Sequence, residues 1–297
     1  MQPRIQSIAI VGPGRLGQAL GRLLNQEGFT IALVAARRAA AAQRAIQFIG
    51  AGVAAGVNAT ELTEASVILL TTSDAAIAPV AKQVASMRKD WRGRVVLHTS
   101  GSVPASALLP FKRRGAAIGS LHPFQTIPNP AAGARNLRGC VWGIEGDPAA
   151  RRIARRWVKA LGGSTFQIRA GKKTIYHASA FMVCPTLLTL MNYSVRLLRQ
   201  SGVSEKMARQ MLARITAETA SNVAQFGPRM ALTGPAVRGD WVTIQKHVAG
   251  LRRVVPEVLP AYRELVRLMA ALAGRSIPVD VFGPSSTERS SGRRRPR

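Results

Sequence analysis

The sequence predicts an α/β chain: a doubly wound, mainly parallel sheet fills the N-terminal half and an all-helical region follows. Three observations carry this. Short apolar runs alternate with helical patterns through residues 1–169, a glycine-rich turn joins the first run to the first helix, and the strand signal stops beyond Ala170.

In order, Ile5–Val11 reads as a strand and Gly14–Glu27 as a helix, followed by strand Thr30–Ala35 and helix Ala39–Ile49. Ser66–Thr72 and Ala75–Met87, then Arg94–Thr99 and Pro104–Arg113, repeat the alternation, and Ala116–Leu121 adds a further strand. A loop rich in Pro, Asn and Gly runs from His122 to Leu137. Strands Cys140–Glu145 and Thr165–Ile168 bracket a helix over Pro148–Leu161 and close the first domain. The rest reads as helices at Thr174–Gln200, Ser204–Gln225, Gly239–Val255 and Pro256–Ala273, punctuated by Gly202, Gly227-Pro228 and Gly234-Pro235. The expected domains are therefore 1–169, 170–280 and a basic, disordered tail over 281–297.

The chain has 297 residues, of which 47% are apolar, enough for two cores of ordinary size. Two cysteines, Cys140 and Cys184, are too few for a disulfide framework and read as buried thiols in a reducing cytoplasm. The N-terminal apolar run ends in a glycine loop rather than a small-residue cleavage site, so a secretory leader is not expected. Ala178–Val195 carries no charge, but its hydroxyls, Asn192 and Pro185 favour a buried helix over membrane insertion.

A net charge of +28 raises the question of nucleic acid. The basic residues are scattered, however, with one dense cluster at SSGRRRPR, and only 5% of the chain is aromatic. A base-stacking surface has little support, and no specific nucleic-acid partner is expected.

The most informative motif is IAIVGPGRLGQALGRLL, a strand, the turn Gly12-Pro13-Gly14-Arg15-Leu16-Gly17, and an apolar helix. In that context GxGxxG is a dinucleotide-binding loop of Rossmann type. Gly12 permits the tight turn, Gly14 lets backbone approach a pyrophosphate, and Gly17 lets the helix pack on the strand. The helix N-terminus adds free N–H groups and the positive end of its dipole. Where an NAD-binding protein carries an acid for the ribose 2′-hydroxyl, the second strand ends in Ala35-Ala36-Arg37-Arg38. Two guanidinium groups there suit a 2′-phosphate, so NADP(H) is expected over NAD(H), unless these arginines merely open a solvated helix.

Two more strand ends face the same crevice. In Thr71-Thr72-Ser73-Asp74 the hydroxyls are candidates for cofactor contact and Asp74 for substrate contact, while Ser73 or Asp74 can equally cap the next helix. In His98-Thr99-Ser100-Gly101-Ser102, Ser100 and Gly101 are expected near the nicotinamide side. The histidines have no metal-ligand spacing, so no metal site is expected. His122 opens the loop and is either a pocket residue or a loop histidine bonded to backbone.

Lys173 and His177, one turn apart at the start of the long helix, are candidate proton donors for a hydride acceptor. The alternative is a solvated lysine and a packed histidine. In Thr233-Gly234-Pro235-Ala236-Val237-Arg238-Gly239-Asp240, Thr233, Arg238 and Asp240 are candidate substrate ligands. Arg238 can clamp a carboxylate or phosphate, and Asp240 can orient it or cap a helix.

Together IVGPGRLG, TTSD, HTSG, LHPF, KKTIYHASA and ALTGPAVRGD resemble the Rossmann-like oxidoreductases whose C-terminal helical domain is of unknown function. These are relatives of pyrroline-5-carboxylate reductase, ketopantoate reductase and the 6-phosphogluconate dehydrogenase-like group. The resemblance spans about Ile5 to Ala273. It implies an all-α 6-phosphogluconate dehydrogenase-like second domain that builds a homodimer around its long first helix. Relatives often place a Lys or an Asn on that helix near the nicotinamide; at the position expected for the Asn this chain has Pro185, which moves weight for the donor to His177. The expected activity is NADP-dependent hydride transfer to a small carbonyl, imine or hydroxy-acid substrate. A non-enzymatic NADP(H) sensor and a deazaflavin-dependent NADP reductase are the alternatives.

Overall fold

The computed structural model describes residues 7–282. Eight strands form one sheet: β1 (Ser7–Val11), β2 (Thr30–Ala36), β3 (Val53–Gly56), β4 (Val67–Leu70), β5 (Val95–His98), β6 (Ala117–Pro123), β7 (Val141–Gly146) and β8 (Ser164–Gln167). Their order is β3-β2-β1-β4-β5-β6-β7-β8. Every pair is parallel except β6 with β7. The direction of winding reverses between β1 and β4, which is where a doubly wound sheet opens a crevice at its carboxyl edge.

Helices α1 (Arg15–Gln26), α2 (Ala39–Ile49), α3 (Asp74–Ser86), α4 (Leu109–Lys112), α5 (Pro130–Asn136) and α6 (Pro148–Ala160) connect the strands. Two apolar clusters result. Ile8, Ile10, Leu20, Leu24, Leu69 and Trp142 belong to one, and Val11, Ile68, Leu70, Ile77, Trp91 and Phe111 to the other. Strand neighbours such as Leu69 and Leu70 fall in opposite clusters, as the period-two alternation of a strand requires. Central strands buried on both faces read as unbroken apolar runs.

Three elements differ from expectation. β3 was not foreseen, because VAAG has one β-branched residue, lies at the sheet edge and leaves Val53 66% exposed. Helix α5 occupies part of the expected loop. Asn129 accepts from the Ala132 amide at 2.8 Å and Pro130 supplies the first helical φ, a capping signal inside a stretch rich in breakers. The helix expected over Pro104–Arg113 is a 3₁₀ turn at Ala105–Leu108 followed by the four residues of α4.

By its contacts the chain divides into two compact units at Cys184/Pro185, rather than near Ala170. The division falls inside α7 (Lys173–Gln200), whose first turns are anchored to β6 and β7 through Lys173. The second unit holds the rest of α7 with α8 (Glu205–Ala231), α9 (Pro235–Arg238), α10 (Trp241–Val254) and α11 (Leu259–Ala273). Helix α8 bends at Gly227, where φ is 77°.

The apolar stretch of α7 is not the buried helix expected. Lys173 is its one buried residue, and Phe181, Met182, Val183 and Leu188 are exposed. Cys184, on the same stretch, is half-buried, while Cys140 is buried as expected. By length and composition α7 could also cross a membrane. Most of the expected tail lies outside the described residues, but Val281 and Phe282 do not belong to it. Both are buried against Ile244, Val248 and Val266, and the Phe282 carbonyl accepts from Arg263 at 2.9 Å.

Candidate active site

The glycine loop turns directly off β1. Gly12 has φ +77°, and a side chain there would also strike Thr72, so only glycine fits. Gly17 lies against the Thr71 side chain with no room for a methyl, which brings α1 onto the sheet. Gly14 is different: a methyl built on it would sit 3.9 Å from its nearest neighbour, an ordinary contact. Among the described residues nothing excludes a side chain at Gly14, which leaves open space over the N-terminus of α1.

Helix α1 has no side-chain cap and no acid in its first turn, leaving its N-terminal dipole uncompensated. Beside it opens a cleft of about 650 Å³ lined by Gly12, Pro13, Arg37, Arg38, Thr72 and Ser73, with Val57, Pro79 and Val80 as an apolar wall. Among the described residues the buried Thr72 hydroxyl has no hydrogen-bond partner, and Ser73, at the N-cap of α3, makes no capping bond. Amides, two guanidiniums, a partnerless hydroxyl and an apolar slab fit the phosphates and purine of an adenine dinucleotide.

Several of the expected cofactor ligands also make contacts within the protein. The Thr71 hydroxyl donates to the Gly12 carbonyl at 2.7 Å and holds the loop. Ser100 accepts from the amides of Ser102 and Val103 at 3.1 and 2.9 Å and shapes its own turn. Leu16 packs on the core, and Arg15 is exposed on the first turn of α1. Asp74 accepts from the Ser102 hydroxyl at 2.5 Å, tying the start of α3 to the loop after β5.

That loop meets two other motifs. A methyl on Gly101 would lie 2.6 Å from His177 Cδ2 and 2.7 Å from His122 Nε2, so HTSG, LHPF and KKTIYHASA converge on one glycine. The two imidazole centroids are 6.0 Å apart. His122 Nδ1 is 2.8 Å from Tyr176 Oη, and the Tyr176 ring lies between Phe124 and Phe166, each with its centroid 5.6 Å away.

Burial holds the His122 imidazole down to about 4, with the neighbouring His177 and Lys173 adding to the effect. Burial likewise pushes the Tyr176 phenol up to about 12. At neutral pH the pair is thus an uncharged imidazole bonded to an un-ionised phenol. His98, 0% exposed, is held down to about 3 by burial and then by Lys173. It accepts from the Ser100 amide at Nδ1 (3.2 Å), and its Nε2 lies 3.3 Å from the Pro104 carbonyl.

Lys173 is not the solvated helix start. It is 2% exposed, and its ammonium donates to Ser120 Oγ at 2.6 Å and to Glu145 at 3.3 Å. Glu145 also accepts from the Ala105 amide at 2.6 Å. Burial lowers the ammonium to about 8 against the pull of Glu145. Lys173 is an anchor that sets the start of α7, and with it Tyr176 and His177, against the sheet.

Sequence reasoning passed over Tyr176, Glu145 and Ser120. Tyr176 was visible three residues from Lys173 on the same helix, but nothing in the sequence pairs it with His122, 54 residues away.

In the helical unit Thr233 and Arg238 are exposed beside Gly234 and Gly239, both with positive φ. Asp240 caps α10, accepting from the Thr243 amide at 3.1 Å and its hydroxyl at 2.7 Å. These bonds hold its carboxyl below the usual range, and Arg238 adds to the effect.

Sheet order, glycine loop and cleft define the class as a Rossmann-like dinucleotide-binding fold, and residues 1–123 match the family described as Rossmann-like domain. Residues 140–269 match the family described as domain of unknown function (DUF2520), so the chain joins a Rossmann-like domain to a DUF2520 domain. No curated protein matches it.

Among solved structures, a Bacteroides fragilis protein provisionally described as an NADP oxidoreductase is 21% identical. It superposes with a TM-score of 0.72 over 90% of this chain and 98% of its own. A reductive aminase from Aspergillus terreus, in complex with NADPH and ethyl-5-oxohexanoate, is 17% identical with a TM-score of 0.67 over 92% and 96%. A pyrroline-5-carboxylate reductase from Coxiella burnetii is 13% identical with a TM-score of 0.59 over 90% and 99%. At these identities the likeness is one of fold.

Proposed function

We propose that the protein is an NADP(H)-dependent oxidoreductase that transfers hydride to or from a small carbonyl, imine or hydroxy-acid compound. The observation that carries this reading is the meeting of two imidazoles over Gly101, on a loop hydrogen-bonded to the helix that lines the dinucleotide cleft. The neighbours described as NADP oxidoreductase, reductive aminase and pyrroline-5-carboxylate reductase support it.

The amides at the start of α1 hold the pyrophosphate, with Gly14 giving the close approach. Arg37 and Arg38 fork onto a 2′-phosphate, and Thr72 and Ser73 supply hydroxyls. The bound cofactor supplies or accepts the hydride. His122 and His177 are the groups that would pass a proton to the reacting oxygen or nitrogen, and their rings, 6.0 Å apart, support that reading.

Replacing Arg37 and Arg38 with Asp is expected to weaken NADPH binding about 10- to 100-fold, the worth of one or two charge-assisted hydrogen bonds at ~1.5–3 kcal/mol, and to leave NADH binding unchanged. Calorimetric titration of both cofactors checks this. Equal NADPH affinity in wild type and variant overturns the cofactor assignment. NADPH consumption against a panel of carbonyl and imine compounds separates the enzyme from a sensor, which binds and does not turn over.

A cytoplasmic homodimer completes the reading. Helix α8 exposes Met207, Met211 and Ile215 at four-residue spacing, then Phe226 and Met230, an apolar stripe suited to a second copy. Light scattering is expected to give twice the chain mass, and Met211→Glu with Ile215→Glu to give the monomer. An unchanged mass for the double variant counts against this interface.

A further inference from the structure

The histidines already account for a proton donor, but the hydroxyl behind one of them has no assigned task. Tyr176 Oη lies 2.8 Å from His122 Nδ1, and the two rings meet edge to face at 88°. A neutral imidazole carries one N–H. A phenol is the stronger acid of the two groups, and with Tyr176 Oη–H as the donor to Nδ1 the imidazole proton sits on Nε2. That nitrogen faces the space that only a glycine at 101 leaves open, 2.7 Å from where a methyl would stand. No described protein group accepts from it.

We infer that Tyr176 and His122 form a two-member proton relay, in which Tyr176 fixes the His122 tautomer with Nε2–H toward the substrate and replaces the proton that Nε2 gives up. The inference rests on the reductase reading for its direction. When a substrate C=O or C=N is reduced, its carbon takes the hydride and the π pair moves onto the oxygen or nitrogen. That atom takes the Nε2 proton and Nδ1 takes the proton from Tyr176 Oη; water then reprotonates Nε2 while the Nδ1 proton returns to the phenolate, which restores the starting pair. Both hydrogens and the electron pair are thereby accounted for, and the imidazole never carries a net charge. The depressed basicity of His122 suits this, since a group that stays neutral at pH 7 gives up a proton only as it receives another.

Tyr176 also packs against Phe124 and Phe166, so Tyr176→Phe keeps the ring and removes only the hydroxyl. In ¹⁵N-labelled full-length protein, long-range ¹⁵N–¹H correlation is expected to show His122 with a bare Nδ1 and a protonated Nε2. Tyr176→Phe is expected to mix the two tautomers and to lower kcat about 10- to 100-fold with KM within about twofold, the loss of part of a general-acid contribution. His122→Gln is expected to lose the same activity or more whether or not Tyr176 is present. A protonated Nδ1 in the wild type, or a Phe variant with unchanged tautomer and unchanged kcat, overturns the relay. If no panel compound is reduced, the reductase reading fails, while the tautomer measurement still decides the pair.

Discussion

Gly101→Ala is expected to lower turnover by about 100-fold or more while leaving NADPH affinity and fold in place. Gly101 does not have a positive φ, so alanine meets no backbone strain. The added methyl instead would stand 2.6 Å from His177 Cδ2, 2.7 Å from His122 Nε2 and 2.8 Å from His122 Cε1, against the ~3.5–4 Å of a normal carbon contact. Both rings must retreat by roughly 1 Å, a displacement of the size that costs about 10²-fold when it separates a catalytic group from its target. Overpacking of this kind costs ~1–3 kcal/mol of stability, which a melting curve reads separately. The cofactor cleft does not include residue 101, so the NADPH titration serves as the internal control. An alanine variant with wild-type turnover would show that the two imidazoles do not act together on a substrate.

The second large effect is acid sensitivity. His98 and His122 titrate at about 3 and about 4 in the folded chain, below the ordinary 6.5. Between those values and 6.5 the unfolded chain binds more protons than the folded one, so stability falls as pH falls. Each histidine contributes ~1.4 kcal/mol per pH unit in that window, and His98 alone approaches 4–5 kcal/mol by the time pH reaches its folded value. The cause is geometric as well as dielectric. His98 is fully buried, and protonation would set an Nδ1–H against the Ser100 amide that now donates to it.

Urea unfolding followed by tryptophan fluorescence is expected to lose about 3–5 kcal/mol between pH 6.5 and pH 4.5. The paired carboxylates Asp90 and Asp147, held below their ordinary value, add their loss only nearer pH 4 and below. The upper part of the window therefore reports the histidines. His98→Asn is expected to flatten that slope by about half, whatever its effect on stability at pH 7. A slope unchanged by the substitution would remove His98 as its source.

Much of the first unit was legible because the sheet signals are local. Ile8, Ile10, Leu69 and Val96 sit in unbroken apolar runs, and the glycines at 12, 14 and 17 carry their spacing on the face of the sequence. Arg37 and Arg38 were readable for the same reason, since the end of β2 lies at a fixed interval from the loop. Strand β3 was hidden because an edge strand of VAAG draws its order from pairing with β2. The burial of Lys173 was hidden because its neighbours in sequence, Lys172 and Thr174, are exposed, whereas its partners are Ser120 and Glu145 on two other strands.

What the amino-acid order determined by itself was the winding of the sheet, the glycine loop with its uncapped helix, and the pair of arginines that follows β2. These follow from periodicity and backbone sterics, which act over a few residues. Only the tertiary structure decided which of the polar groups meet. Gly101, His122, Tyr176 and His177 come from the loop after β5, strand β6 and helix α7, as much as 76 residues apart. A buried polar group must find its partner among whatever the fold brings near, and that choice is made in space rather than along the chain.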